Sequence, residues 1–321
     1  MDRAARTILQ EKFNDRVSFE RTERLLYSHD TASLPGMVKM LIKHVPDAIV
    51  QPISADEVAF LVGFAQERGI PLTPRGAATS GWGGALPSRG GIVVEMTRMR
   101  RILDVDTEKG LVRVEPGVVW KNLDYELGKK GLACCVVPSS ALSATVGGWV
   151  AEGGGGIGSY EYGQVGNTVQ SVKLVAPNGQ VQTIEGDGLD TVVQAEGITG
   201  IITEVTLKTR KADEMVPVVA SFDSLDDMLG ALNDINQKGL ALWHVSFAMP
   251  NFVAKNAEAE EAEAKVKAQW SHYHKPTNGH RPSGPAKPRA LLVYPASRNG
   301  ELQGSLKEII AAHNGREEDE A

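Results

Sequence analysis

The stretch PSSALSATVGGWVAEGGGGIGSYEYG, Pro138–Gly163, decides the fold. Between positions 147 and 158 it holds seven glycines (147, 148, 153, 154, 155, 156 and 158), set among Ser, Ala and Thr. Glycine is costly to order, so a chain places it where the backbone takes positive φ or comes close to something. Small neutral residues of this kind can fold their N–H groups around a phosphate without a lysine. A flexible linker shares the glycine content. The valines, Trp149, Tyr160 and Tyr162 inside the run speak against one. The stretch reads as half of a cofactor-binding site.

The 321 residues leave room for two domains, each with its own core. A charged fraction of 23% beside 42% hydrophobic residues fits an ordinary globular protein, and the net charge of −6 offers no basic footprint for a nucleic acid. The opening MDRAARTILQEKFNDR is charged and amphipathic, without an apolar signal core. No apolar run approaches the roughly 18–20 residues that span a bilayer. These features predict a cytoplasmic chain with no membrane span and no nucleic-acid partner. Cys134 and Cys135 are the only cysteines, too few to hold a thiolate iron–sulfur cluster.

Outward from the glycine run, residues 1–45 read as a charged helical segment with Leu25, Leu26 and Met40-Leu41-Ile42 buried. A β-α-β unit follows: strand AIVQP from Ala48, a helix opened by the capping box Ser54-Ala-Asp-Glu57, and strand IPLTP at 70–74. That strand opens into a second small-residue loop, PRGAATSGWGG, 74–84. GIVVEM at 91–96 is a strand, and ILDVDTEKGLVRVEPG is a hairpin. A short helix at Trp120–Lys130 and strand ACCVVP lead into the glycine run. VQSVKLVAPNGQVQTIE is a second hairpin turning at Asn178-Gly179. GLDTVVQAEG reads as helix and ITGIITEVTLKTRK as strand. Beyond Lys211 the order is strand, helix from Ser224, strand LALWHVSFAMP, polar helix 256–270, loop, strand RALLVYP and helix. Together these suggest a split β-α-β unit of the ferredoxin-like kind. The fold class is therefore α+β, divided as 1–45, 46–212, 213–315 and a loose acidic tail, 316–321.

Two phosphate motifs fail on context. Gly153-x-Gly155-x-x-Gly158 has the letters of the dinucleotide fingerprint, which should follow a strand and open a helix. Here a small-residue helix precedes it and a loop follows. Gly76-AATS-Gly81 has Walker spacing, but Trp82 stands at the lysine position. What remains is a pair of loops, 74–84 and 138–148, each leaving a strand and presenting Gly, Ala, Ser and Thr to one pyrophosphate.

On five strings in order, PLTPRGAATSG, DVDTEKGLVRVEPGV, PSSALSATVGG, YEYGQVGNTVQSVKLVAPNGQV and AEGITGIITEVTLK, residues 46–210 resemble the FAD-binding domain of the vanillyl-alcohol oxidase and p-cresol methylhydroxylase family. Its glycolate oxidase and D-lactate dehydrogenase FAD-subunit branch looks most similar. The resemblance implies a two-subdomain FAD-binding fold followed by a partial ferredoxin-like cap. It also implies that Arg75, Gly76, Ala77, Ala78, Thr79, Ser80 and Gly81 wrap the pyrophosphate. Pro138, Ser139 and Ser140 would border the flavin, and Thr145, Gly147 and Gly148 the diphosphate and ribityl chain. Gly158, Ser159, Tyr162 and Gly163 would run along the flavin, with Glu196, Gly197, Gly200, Ile201 and Ile202 offering backbone contacts to adenine or ring. Thr79 stands where some relatives tether flavin through a histidine, and the second loop has no cysteine, so FAD should be non-covalent.

The implied function is an FAD-dependent flavoprotein oxidoreductase of the 2-hydroxy-acid dehydrogenase type. It would take hydride from a glycolate- or D-lactate-like substrate and pass electrons to an iron–sulfur partner subunit. Relatives continue beyond this length, and their substrate pocket lies largely in the later cap, so the catalytic residues are unassigned. His244 and Arg298 are weak candidates. His272, His274 and His280 sit in a Pro/Gly/Lys-rich loop that reads as solvated, and no metal site is expected. Two alternatives stay open: an FAD electron-transfer subunit of a molybdenum hydroxylase, and a non-catalytic scaffold.

Overall fold

The fold is described from a computed structural model that covers residues 1–32, 37, 44–250 and 287–318. The expected helix at 256–270, Met40-Leu41-Ile42 and the three loop histidines lie outside the described residues. The chain forms two compact units, Met1–Ala212 and Asp213–Ala321.

The first unit opens with α1 (Arg3–Phe13), whose N-cap Asp2 accepts from Ala5 N at 2.7 Å. Ala5, Leu9 and Phe13 recur at helical spacing and are buried. Then come β1 (Val17–Ser18) and α2 (Arg21–Leu26). The segment is thus no separate appendage: β1 pairs antiparallel with β2 (Ala48–Val50), and α1 joins the core of the first sheet. Leu25 and Leu26 correct the sequence reading, being 45% and 62% exposed on a two-turn helix too short to bury a full stripe.

In α3 (Ala55–Arg68) the Ser54 hydroxyl accepts from Glu57 N, which is half of a capping box. The other half does not form, because the Glu57 carboxylate accepts instead from Ile53 N at 2.9 Å and from Arg16. Gly69, in the left-handed region at φ 60°, ends the helix. β3 (Leu72–Arg75) and β4 (Ile92–Glu95) complete a sheet of order β1-β2-β4-β3, its last three strands parallel. Its members Ile49, Ile92, Val93 and Val94 are almost fully buried, as strands covered on both faces require.

The second sheet of this unit has six strands: β5 (Ile102–Asp106), β6 (Leu111–Val114), β7 (Leu132–Cys134), β8 (Val169–Val175), β9 (Val181–Glu185) and β10 (Ile201–Lys211). Their order is β5-β6-β10-β8-β9, with β7 also on β10, and all these pairings are antiparallel. Between strands lie α4 (Trp120–Gly128), α5 (Val146–Glu152), α6 (Ser159–Tyr162) and α7 (Val165–Thr168). Trp120, Leu123, Leu127, Val146 and Val150 fill the core against it. Trp120 meets Trp149 edge to face at 5.2 Å. The expected helix at 188–197 is only a 3-10 turn, Gly186–Thr191; Gln194 and Glu196 then adopt positive φ, which an α-helix cannot contain.

The second unit runs β11 (Met215–Phe222), α8 (Leu225–Gln237), β12 (His244–Ala248), β13 (Arg289–Pro295), α9 (Asn299–Ala312) and β14 (Gly315–Glu317). Its antiparallel order β12-β13-β11-β14 is the ferredoxin-like arrangement, with Met228, Ala231, Ile235, Leu302, Leu306 and Ile309 of the helices packed on Ala220, Phe222, Ala290 and Leu292. The acidic end is corrected here. Arg316 and Glu317 pair with Ser221 and Ala220 as the edge strand of the sheet rather than starting a loose tail.

Candidate functional site

A cavity of about 910 Å³, counting space open to solvent, is walled by three segments of the first unit. The first wall is the turn after β3. Arg75, Gly76, Ala77, Ala78, Thr79 and Ser80 line it, with Pro74 before them and Gly84 and Ala85 after. The N–H groups of residues 76–81 have no backbone acceptor among the described residues. Ala78 holds φ 54°, a conformation that costs an L-residue about 1–2 kcal/mol. The N-terminal segment fixes this turn from outside. Thr31 donates to the Thr79 and Ser80 carbonyls, and Arg75 Nη1 donates to the His29 carbonyl at 2.8 Å. The Arg75 guanidinium also lies 5.1 Å from the Tyr27 ring, and burial lowers its pKa. Arg75 is therefore a brace for the turn, bonded to carbonyls on its outer side.

The second wall is the start of α5. Thr145 is 2% exposed, and its Oγ1 has no hydrogen-bond partner among the described residues. A buried hydroxyl without a partner is uncommon and calls for an explanation. Val146 N and Gly147 N donate to the Val118 and Pro116 carbonyls, which ties α5 to the turn after β6. A Cβ on Gly147 would lie 2.9 Å from Pro116 Cα, and one on Gly148 2.9 Å from Thr145 Oγ1. The Pro116 backbone thus leaves no room for a side chain at Gly147, and the Thr145 side chain crowds one at Gly148. Next to Pro116 the buried Glu115 carboxylate accepts Arg101 N at 2.7 Å. Thr145, Gly148, Trp149 and Glu152 all line the cavity, and their spacing of 0, 3, 4 and 7 puts them on one helix face.

The third wall is Glu196, Gly197, Gly200, Ile201 and Ile202, leading into β10. Gln194 N and Glu196 N donate to the Val150 and Ala151 carbonyls, so this turn is bonded to the end of α5. Met96, Pro116, Trp149, Ile201 and Ile202 make the cavity partly apolar. Its charged lining residues are Arg75, Glu152 and Glu196. Ser80 Oγ donates to Glu152 Oε1 at 2.9 Å, a bond joining the first wall to the second.

Of the residues proposed from sequence, Arg75–Ser80, Ser140, Thr145, Gly147, Gly148, Glu196, Gly197 and Gly200–Ile202 meet in this cavity, while Gly81, Pro138, Ser139, Gly158, Ser159, Tyr162 and Gly163 are not on its walls. The latter glycines have local work. Gly158 and Gly163 take φ 99° and 72° at the two ends of α6, and the Ser159 hydroxyl accepts Gly156 N at 2.8 Å. Val137 and Ile157 exchange two backbone bonds that clamp the run in place. Pro74, Met96, Pro116, Trp149 and Glu152 were missed by sequence reading. For Trp149 and Glu152 the helical spacing from Thr145 was the available signal. His244 and Arg298 belong to the second unit. Burial lowers the His244 pKa, and Arg298 Nη1 donates to the Ala241 carbonyl at 2.7 Å. Neither is a wall residue of the cavity.

Among the described residues, the N–H groups without backbone acceptors and the unpartnered Thr145 hydroxyl fit a diphosphate-bearing cofactor. Residues 46–185 match the family described as FAD binding domain. A D-lactate dehydrogenase of Anaerostipes hadrus is 32% identical over 216 residues, covering 64% of this chain and 44% of that protein. The glycolate oxidase subunit GlcD of Bacillus subtilis is 31% identical over 222 residues, 66% of this chain and 46% of its own length. The match thus spans about half the length of these relatives or less. In fold, a structure of alkyldihydroxyacetonephosphate synthase superposes over 99% of this chain and 60% of that one, with a TM-score of 0.82 at 21% identity. A structure of p-cresol methylhydroxylase with substrate bound superposes over 99% and 66%, with a TM-score of 0.75 at 18% identity.

Proposed function

We propose that this chain, whose residues 46–185 are an FAD-binding domain, is the FAD-carrying part of an oxidoreductase that oxidises a 2-hydroxy acid of the glycolate or D-lactate type. In this reading it works in the cytoplasm and hands electrons to an iron–sulfur partner subunit. The observation that carries the reading is the cavity-lining turn at residues 76–81, whose N–H groups find no backbone acceptor among the described residues, beside the Thr145 hydroxyl, which has no partner among them.

Bound FAD would supply two-electron oxidation of a C–H bond, chemistry that side chains lack. The chain's part is to hold and place it. The N–H groups of residues 76–81 and Thr145 Oγ1 would take the diphosphate, and Gly76, Gly147 and Gly148 let the turn, Thr145 and Pro116 pack closely together. Met96, Pro116, Trp149, Ile201 and Ile202 would cover apolar ring surface and keep water out. Among the described residues no histidine or cysteine lines the cavity, in keeping with non-covalent binding. Among the described residues no helix is long and apolar enough to cross a membrane.

The test is the visible spectrum of the purified chain, with FAD added where none co-purifies. A flavin band that bleaches anaerobically with D-lactate, glycolate or 2-hydroxyglutarate, alone or with proteins encoded beside it, supports the reading. A flavin band that no 2-hydroxy acid bleaches under either condition rejects the substrate class and keeps the cofactor. A chain that never gains a flavin band rejects both.

A further inference from the structure

We propose that Glu152 sets the affinity of the cavity for its diphosphate ligand, by competing with phosphate for the Ser80 hydroxyl. The proposal rests on the FAD reading and deepens it.

Ser80 Oγ donates its hydrogen to Glu152 Oε1 at 2.9 Å and accepts Trp82 N–H at 3.3 Å. A hydroxyl has a single proton. With that proton on Glu152, Ser80 can offer a phosphate oxygen only lone pairs, and phosphate at neutral pH is itself an acceptor. The turn after β3, whose N–H groups have no backbone acceptor among the described residues, thus carries a serine turned towards a carboxylate.

Charge adds to this. Among the described residues, Arg75, Glu152 and Glu196 are the charged side chains lining the cavity, and the Arg75 guanidinium bonds to the His29 and Ala85 carbonyls. Among the described residues Glu152 bonds only to a neutral hydroxyl, and the Glu196 carboxylate has no hydrogen-bond or ion-pair partner. Glu152 stands on the same helix face as the orphaned Thr145, so the carboxylate and the diphosphate would share one wall. Like charges repel more strongly in a partly desolvated groove than in water. The bond also joins the two loops, and a simple brace is the competing account. The two accounts differ in whether charge matters.

The test uses the full chain stripped of flavin and titrated with FAD, ADP and riboflavin, following flavin fluorescence or competition. Glu152→Gln keeps an acceptor oxygen of the same size and removes the charge; Glu152→Ala removes both. The proposal expects Glu152→Gln to bind FAD and ADP roughly tenfold more tightly, leaves riboflavin unchanged because it has no phosphate, and narrows the gap as salt is raised. The gain should shrink severalfold in a Ser80→Ala background, where there is no hydroxyl to contest. Glu152→Gln equal to wild type with Glu152→Ala weaker would establish the brace and overturn the proposal. Weaker binding of all three ligands by both variants would make Glu152 a reader of ligand hydroxyls, and would overturn it as well. An undiminished gain in Ser80→Ala would remove Ser80 from the account and reject it in this form. If neither wild type nor Glu152→Gln takes up FAD, the cofactor reading falls too. FAD uptake with no effect of Glu152→Gln sinks this inference alone.

Discussion

Thr145 shows at the scale of one residue how stability and binding pull apart. Its hydroxyl is buried without a partner, and such a group typically costs about 1–3 kcal/mol. Replacing it by valine exchanges hydroxyl for methyl in nearly the same volume. Thr145→Val is therefore expected to raise the stability of the flavin-free protein by about 1 kcal/mol in urea unfolding. The same change should weaken FAD binding roughly tenfold if the proposed role of this hydroxyl toward the diphosphate holds. A variant that lost both stability and affinity would show that the hydroxyl has a protein partner after all. Arg75 makes a related point. In sequence it is the obvious cation for a pyrophosphate, yet its Nη1 bonds to the His29 carbonyl, and no local pattern announces a partner 46 residues away.

Among the elements, the first 32 residues changed most between sequence and structure. Phe13 is fully buried and packs 6.0 Å from Phe60 of α3, and β1 adds a strand to the first sheet. Phe13→Ala is expected to lose about 3–5 kcal/mol in chemical unfolding, the ordinary cost of an emptied aromatic site. Arg16 and Glu57 close the same junction. Arg16 Nη2 donates to Glu57 Oε1 at 2.7 Å, with the two side chains 16% and 15% exposed. Burial alone would raise the Glu57 pKa; the hydrogen bonds from Arg16 and Ile53 N and the Arg16 charge outweigh it and hold the carboxyl below its usual value. A lowered carboxyl pKa means the stabilisation is complete above the unfolded value, about 4.3, and fades as pH falls through the folded one. Glu57→Gln should therefore cost about 1–2 kcal/mol at neutral pH. Its stability should converge on that of wild type in acid. A gap that persists unchanged at pH 2–3 would show that the ion pair is not its cause.

For the whole molecule, the cavity walls come entirely from residues 74–202, inside the unit Met1–Ala212. A fragment of residues 1–212 is expected to fold alone and to bind ADP with a Kd within about threefold of the full chain, measured by calorimetry. A larger loss would assign part of the diphosphate site to the second unit. The second unit closes its own sheet with β14, so a chain cut after Ala312 should lose that edge strand and unfold at lower denaturant. That strand escaped the sequence reading because REEDEA is acidic and lacks the apolar alternation that marks a half-buried strand. An edge strand whose outer side meets water has no need of it.

The sequence by itself determined the hairpins, the helix after Ser54 and the two small-residue loops, 74–84 and 138–148, parts of which line the cavity. Each is written in local chemistry: positive-φ glycines, Asn-Gly turns, caps and periodic apolar residues repeat over a few positions. Only the tertiary structure decided which glycines line the cavity and which merely let the chain turn, because a bare N–H is defined by the absence of an acceptor elsewhere in the fold. It alone decided that Arg75 braces the turn, that Thr145 lacks a partner and that Glu152 holds the Ser80 proton. Those are properties of pairs 46 or 72 residues apart, or of a missing pair, and local sequence carries no record of them.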